Sequence, residues 1–230
     1  MIIYRLHFNL SIMFLKTRYQ VAAMLMASVL FYSCTSKEDN KTTPEIRTLR
    51  LPVSTHDSLI LSVDKSPMDM IYFPEDYPKQ KMVTPSMANP VARIIYSRPQ
   101  KNGRMIFADS TVTENVIQHY GQEWRLGANE ATEIEFFKEV TINGKKIAPG
   151  RYILYCIPYA DKWTMIINQN LYSWGLHIDK TKDIAETDIP VTKNNIQTEY
   201  FTMHFHETGN GCDLVMSWGD VKAVLPISFQ

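Results

Sequence analysis

Glu199-Tyr-Phe-Thr-Met-His-Phe-His206 and Val221-Lys-Ala-Val-Leu-Pro-Ile-Ser-Phe229 decide the fold. In the first, Phe201, Met203 and Phe205 fall on one side, while Tyr200, Thr202, His204 and His206 fall on the other. In the second, Val221, Ala223, Leu225, Ile227 and Phe229 share a side. Successive side chains of a strand point to opposite faces, so period-two patterning with one apolar face predicts half-buried antiparallel strands. Working outward, similar short runs recur at Pro90–Tyr96, Arg104–Phe107, Thr132–Thr141, Arg151–Ile157, Trp163–Asn168, Ile189–Thr192 and Cys212–Trp218. Asn102-Gly103 and Asn143-Gly144 separate some of them, and Asn-Gly is the strongest short hairpin signal. Trp163–Ile167 is apolar on both faces and suits a central strand. One helix is expected, at Thr113–Tyr120, with Thr113 as its N-cap. No strand–helix–strand rhythm appears. The expected class is all-β: an antiparallel β-sandwich, or a partly open barrel, with one short helix.

The N-terminal part reads as an address. Lys16 and Arg18 precede the apolar run Val21–Phe31, which ends at Tyr32-Ser33-Cys34. A basic segment, a short apolar segment and a small residue before the cut describe a signal peptide over residues 1–33, with Met13 a plausible start. The run is well short of the ~20 residues a spanning helix needs. A cysteine at the cut fits a bacterial lipoprotein, whose thiol is acylated. An ordinary signal peptide cut nearby, or an anchor never cut, are the alternatives. Residues 34–55 then form the lipidated Cys34 and a polar tether with Pro44 and Pro52, and 56–230 a single domain. The expected location is the envelope of a Gram-negative bacterium, anchored through Cys34 to the outer membrane. The 24 basic and 24 acidic residues balance, which argues against nucleic acid as a partner.

Cys156 and Cys212 remain after acylation, an even number in an oxidising compartment. They could form a disulfide, or each could be a small buried apolar residue. His204 and His206 have the spacing of two ligands on one strand face. They lack a third donor, so no metal is expected, and a solvated strand face is the better reading. No phosphate loop, dinucleotide fingerprint or paired CxxC is present, so no cofactor is expected.

The densest polar and aromatic group comprises Tyr96-Ser-Arg-Pro99, Gly103-Arg104 and Trp124-Arg-Leu-Gly-Ala-Asn-Glu-Ala-Thr132. With Ile142-Asn-Gly144, Gly150-Arg-Tyr152, Ile157-Pro158, Trp163-Thr164 and Trp174-Gly175, the chain resembles the lipoprotein-type family catalogued as domain of unknown function 2911. The resemblance spans about Lys65 to Phe229 and departs between Phe107 and Trp124, where this connection is longer. It implies a fold and residues to watch, and no activity. Chemistry must come from the side chains. Arg98 and Arg125 offer planar forks for carboxylate or phosphate. Asn129 donates and accepts, Glu130 is the acid nearest in sequence, and Tyr96 and Trp124 present flat faces. These six suit a site for a small or extended polar, anionic or glycan ligand. They equally suit a structural network in which Glu130 and the arginines satisfy one another. Two other readings stand: a hydrolase using Glu130 with Arg125, and an assembly module of the envelope with no ligand.

Overall fold

The structure, a computed structural model, describes residues 66–229. The signal-peptide, Cys34 and tether expectations lie outside the described residues. Nine strands form one antiparallel sheet that doubles over itself. Its first part runs through β1 (Met68–Phe73), β2 (Ala92–Ser97), β5 (Glu133–Phe136), β8 (Gly150–Pro158) and β9 (Lys162–Asn168) to β10 (Asp183–Thr208). It continues from β10 to β11 (Gly211–Ser228), β6 (Val140–Ile142) and β7 (Lys145–Ile147). A separate parallel pair joins β3 (Met105–Ala108) to β4 (Val116–His119).

The long β10 turns one sheet into two layers. Asp183 to Pro190 pairs with β9, and Val191 to Thr208 pairs with β11. Register shifts between Lys193 and Thr202 bend the strand as it changes partner, the usual effect of a bulge. The second half of β10 thereby lies against the first layer. Phe205 meets Phe73 at 6.0 Å, and Phe201 meets Tyr96 at 5.9 Å, both edge-on. No ladder joins β1 to β10, so the sheet does not close into a barrel.

Both deciding stretches sit in this turn-back. Phe201, Met203 and Phe205 are buried in the core while His204 and His206 are exposed, as the alternation requires. The runs at Ile189–Thr192 and Glu199–His206 belong to one bent strand, and so do Cys212–Trp218 and Val221–Phe229. Gly219, at φ +59, supplies the bend in β11. The run Thr132–Thr141 is divided instead, with β5 and β6 serving different layers. Asn143-Gly144, with φ of 47° and 76°, makes the expected tight turn between β6 and β7.

The helix expectation at Thr113–Tyr120 is corrected. Asn115 has φ +55, which no right-handed helix tolerates, and Val116–His119 extends beside β3. Two β-branched residues at Val116 and Ile117 favour that outcome. The one α-helix among the described residues, α1, is Tyr77–Val83, opened by Pro78 and fastened by the buried ring of Tyr77. Proline suits a first helical turn, whose N–H has no partner anyway. Of the two readings left open for Cys156 and Cys212, the structure has the second: both are free thiols packed in the apolar core. Burial pushes both thiol pKa values up, that of Cys212 to about 12. They act as small apolar residues.

Candidate functional site

After β4, Trp124 and Leu126 are buried and Arg125 between them is half-buried. Trp124 points inward, 4 % exposed, and its backbone bridges Cys156 on β8. Its indole stacks on Trp218 at 5.7 Å and meets Phe107, Trp163 and Phe201 edge-on at 4.9–5.6 Å. The ring N–H donates to the Gly127 carbonyl at 3.3 Å. Leu126 and Asn129 take positive φ, which closes the chain into a turn held by Thr132 Oγ1 donating to Leu126 O at 2.6 Å. Gly127 lies so close to β2 that a Cβ there would sit 2.9 Å from Ser97 O. Glycine is therefore required by contact. This packing sets the Trp124–Thr132 turn beside Tyr96-Ser-Arg98, so the two segments meet in space.

They do not share their charges. Tyr96 is buried, accepts a hydrogen bond from Met203 N at 2.9 Å and donates toward Asp69 Oδ2 at 3.3 Å. Burial, opposed by the Met203 amide and helped by Asp69, pushes its phenol up to about 12. Arg98 donates to Phe201 O, Thr202 Oγ1 and Asp69 Oδ2 at 3.3, 2.9 and 3.4 Å. Met203 N, Phe201 O and Thr202 lie on the side of β10 away from β11, just beyond a short antiparallel bridge in which Phe201 N donates to Pro99 O and Lys101 N to Glu199 O. Tyr96 and Arg98 therefore extend that bridge and stitch one layer to the edge of the other, with Asp69 between them. Their groups are spent within the fold.

Arg125 is placed differently. It follows the inward Trp124 and lies on the outer side, half-buried, where it donates to Trp174 O at 3.1 Å. Its guanidinium carbon lies 5.9 Å from the Trp174 ring centroid. No carboxylate pairs with it among the described residues, and burial holds its pKa below the ordinary value. At pH 7 it remains a cation. Glu130 is exposed and makes no ion pair with either arginine. Asn129 is half-buried in the turn. Five surface clefts lie elsewhere, and none is lined by any of the six residues.

What the sequence reading missed is the partner of Arg125. Residues 169–179, between β9 and a short 3-10 turn at Lys180–Lys182, reach the turn that carries Arg125. Ala131 N donates to Ser173 O at 3.1 Å, and a Cβ at Gly175 would come within 2.8 Å of Arg125 Cβ. Gly175 also has φ +78. The loop is thus pressed against Arg125 at the one residue that permits it. Beside Trp174, Tyr172 lies under Arg151 at 5.3 Å, and Arg151 also pairs with Glu133. Tyr172 is 81 % exposed and Trp174 55 %. The Trp174-Gly175 dipeptide was a visible signal, but nothing local to it named Arg125.

Fold and geometry together define a two-layered antiparallel β protein with two exposed aromatic rings on one loop, each with a guanidinium near it. The chain belongs to the family described as "Protein of unknown function (DUF2911)", whose model matches residues 78–227. No curated protein and no solved structure matches it.

The two arginines should separate in stability. Arg98→Lys loses the fork that reaches three acceptors and should cost about 1–3 kcal/mol. Arg125→Lys should stay within about 0.5 kcal/mol of wild type, as substitutions away from a buried network do. Thermal denaturation of both variants measures this. An Arg125→Lys loss larger than that of Arg98→Lys contradicts the assignment.

Proposed function

We propose that this chain is a lipid-anchored protein of the Gram-negative envelope whose β-sandwich holds an acidic glycan on the face formed by Arg125, Trp174, Tyr172 and Arg151. The observation that carries the reading is the pair of exposed rings, each with a guanidinium against it, two residues apart on one loop. A sugar ring has an apolar C–H face that packs on an aromatic face, and its hydroxyls need polar neighbours. Two such rings, two positions apart on one loop, suit neighbouring units of an extended chain.

Charge selects the acidic class. Arg151 is already paired with Glu133, whereas Arg125 has only a carbonyl. A carboxylate on the ligand would meet Arg125 as its first anionic partner, through a bidentate fork. Glu130 and Asn129, on the adjoining turn, supply acceptor and donor for hydroxyls. Tyr96, Arg98 and Trp124 support the face from within. The hydrolase alternative asks for a second catalytic group within hydrogen-bond reach of Glu130, and no hydrogen bond ties Glu130 to a candidate among the described residues.

Binding of oligogalacturonate, an acidic probe, should be measurable by calorimetry and weaken as salt rises, because surface charge attraction is screened. Neutral maltohexaose should bind less well. Trp174→Ala and Arg125→Lys should each weaken the acidic probe about tenfold, the equivalent of ~1.4 kcal/mol. Equal binding by wild type and both variants, or no preference for acidic over neutral sugar, contradicts the proposal.

Anchoring is tested separately. Cys34→Ala should move the protein from the membrane fraction to the soluble fraction of cells. A mature-length Cys34→Ala product that still needs detergent for release contradicts lipidation as the anchor.

A further inference from the structure

Gly103-Arg104 belongs to the densest polar group of the sequence, yet it has no part in the ring-bearing loop. The fold gives it other company. Asn102 and Gly103 have φ of 49° and 72°, a tight turn that folds Arg104 back on the chain before it. There Arg104 Nε donates to Lys101 O at 3.1 Å and Nη2 to Gln100 O at 2.7 Å. Two carbonyls fix the guanidinium in place and leave it N–H donors to spare.

β3 begins at the next residue, and Gly219 decides what it packs on. A Cβ at Gly219 would lie 2.6 Å from Ile106 Cδ1, so β3 is seated against the bend of β11. That contact brings Asp220, the residue after the bend, beside the turn that carries Arg104. Both residues, with Lys101, line one cleft of about 320 Å³, a size that suits a small ligand. The rest of its lining is largely apolar and aromatic: Phe107 stacks on Tyr120 at 6.0 Å, and Val221 lies in the same wall. Burial, with Asp109 and Asp220 adding to it, pushes the Tyr120 phenol pKa up, so its hydroxyl stays a donor at neutral pH.

The charges of this cleft do not close on one another. Lys101, Arg104 and Asp220 make no ion pair among the described residues, although all three border one small space. A simple anion would meet Asp220 there, and a simple cation would meet Arg104 and Lys101. An acidic glycan would leave Asp220 without a partner. A ligand that carries both signs and an apolar group leaves nothing unmatched.

We propose that this cleft binds a short peptide with free ends, its carboxylate on Arg104 and Lys101, its ammonium on Asp220, and an apolar side chain on Phe107 and Val221. An extended dipeptide is about 7 Å long, which suits the volume. Arg104 grips a carboxylate through its fork, and the Tyr120 hydroxyl can donate to the peptide carbonyl.

The test is calorimetric, on the full chain, with the dipeptide alanylleucine, its N-acetyl form and its C-terminal amide. Alanylleucine should bind, and each blocked form should bind about tenfold more weakly, the loss expected of one charged hydrogen-bonded contact. Arg104 and Asp220 are exposed, so Arg104→Gln and Asp220→Asn leave the core intact. Arg104→Gln should weaken alanylleucine about tenfold and leave binding of the amide unchanged. Asp220→Asn should weaken it likewise and leave binding of the N-acetyl form unchanged. No binding of alanylleucine, equal binding of the three ligands, or the same loss for all three in each variant would overturn the proposal.

Discussion

The stacking of Trp124 on Trp218, with Phe107, Trp163 and Phe201 set edge-on around it, is the contact on which the rest of this protein depends. Trp124 belongs to no long strand. It enters the sandwich from a turn, and its ring touches residues of β9, β10 and β11 at once. Aromatic pairs of this kind contribute about 0.5–1.5 kcal/mol each beyond the area they bury. Its N–H is satisfied by Gly127 O within the same turn, so the indole enters the core without an unpaired donor. A phenylalanine there would keep much of the packing and lose that tie.

Because Trp124 is held inside, the next residue is held outside. That adjacency converts a core contact into a surface one: Arg125 is delivered to the loop at residues 169–179 and meets Trp174. The turn's other contacts maintain the relation. Thr132 N donates to Arg125 O at 3.2 Å, and Ala131 N donates to Ser173 O. Tyr96 and Arg98 perform the opposite service. Their polar ends bond Phe201 O and Met203 N, where the short bridge of residues 99–101 to β10 runs out, and buried backbone groups left unpaired are costly. The six clustered residues therefore divide by direction. Tyr96, Arg98 and Trp124 hold the layers together, and Arg125, Asn129 and Glu130 lie on the turn that carries the exposed face.

Alternation made the fold class legible, because a residue such as Phe205 or Leu225 has only one side of a strand to occupy. What periodicity could not show was continuity. Residues 193–198 and Gly219 look like breaks between strands in isolation, yet each lies within a strand that continues past it. Thr113–Tyr120 had a cap residue and a helical count, but tertiary pairing with β3 outweighed a propensity too short to sustain a helix alone. β1 went unmarked because its outward positions are methionines, which blur the polar side of the pattern. For the site, Tyr96 through Glu130 stood out by composition. The pairing of Arg98 with Asp69 and of Arg125 with Trp174 spans 29 and 49 residues of chain, and no local signal encodes contacts at that distance.

The coupling of the Trp124 cluster to the exposed face is open to direct measurement by amide hydrogen exchange, residue by residue, in wild type and Trp124→Phe. The Ala131 and Thr132 amides bond across the turn to Ser173 and Arg125, whereas the β6–β7 hairpin lies in the other layer. In the variant, Ala131 and Thr132 should exchange faster by a factor exceeding any change at Val140–Ile147. Equal acceleration at every protected amide would mean only a global loss of stability, and would contradict the claim that Trp124 is what holds Arg125 in place.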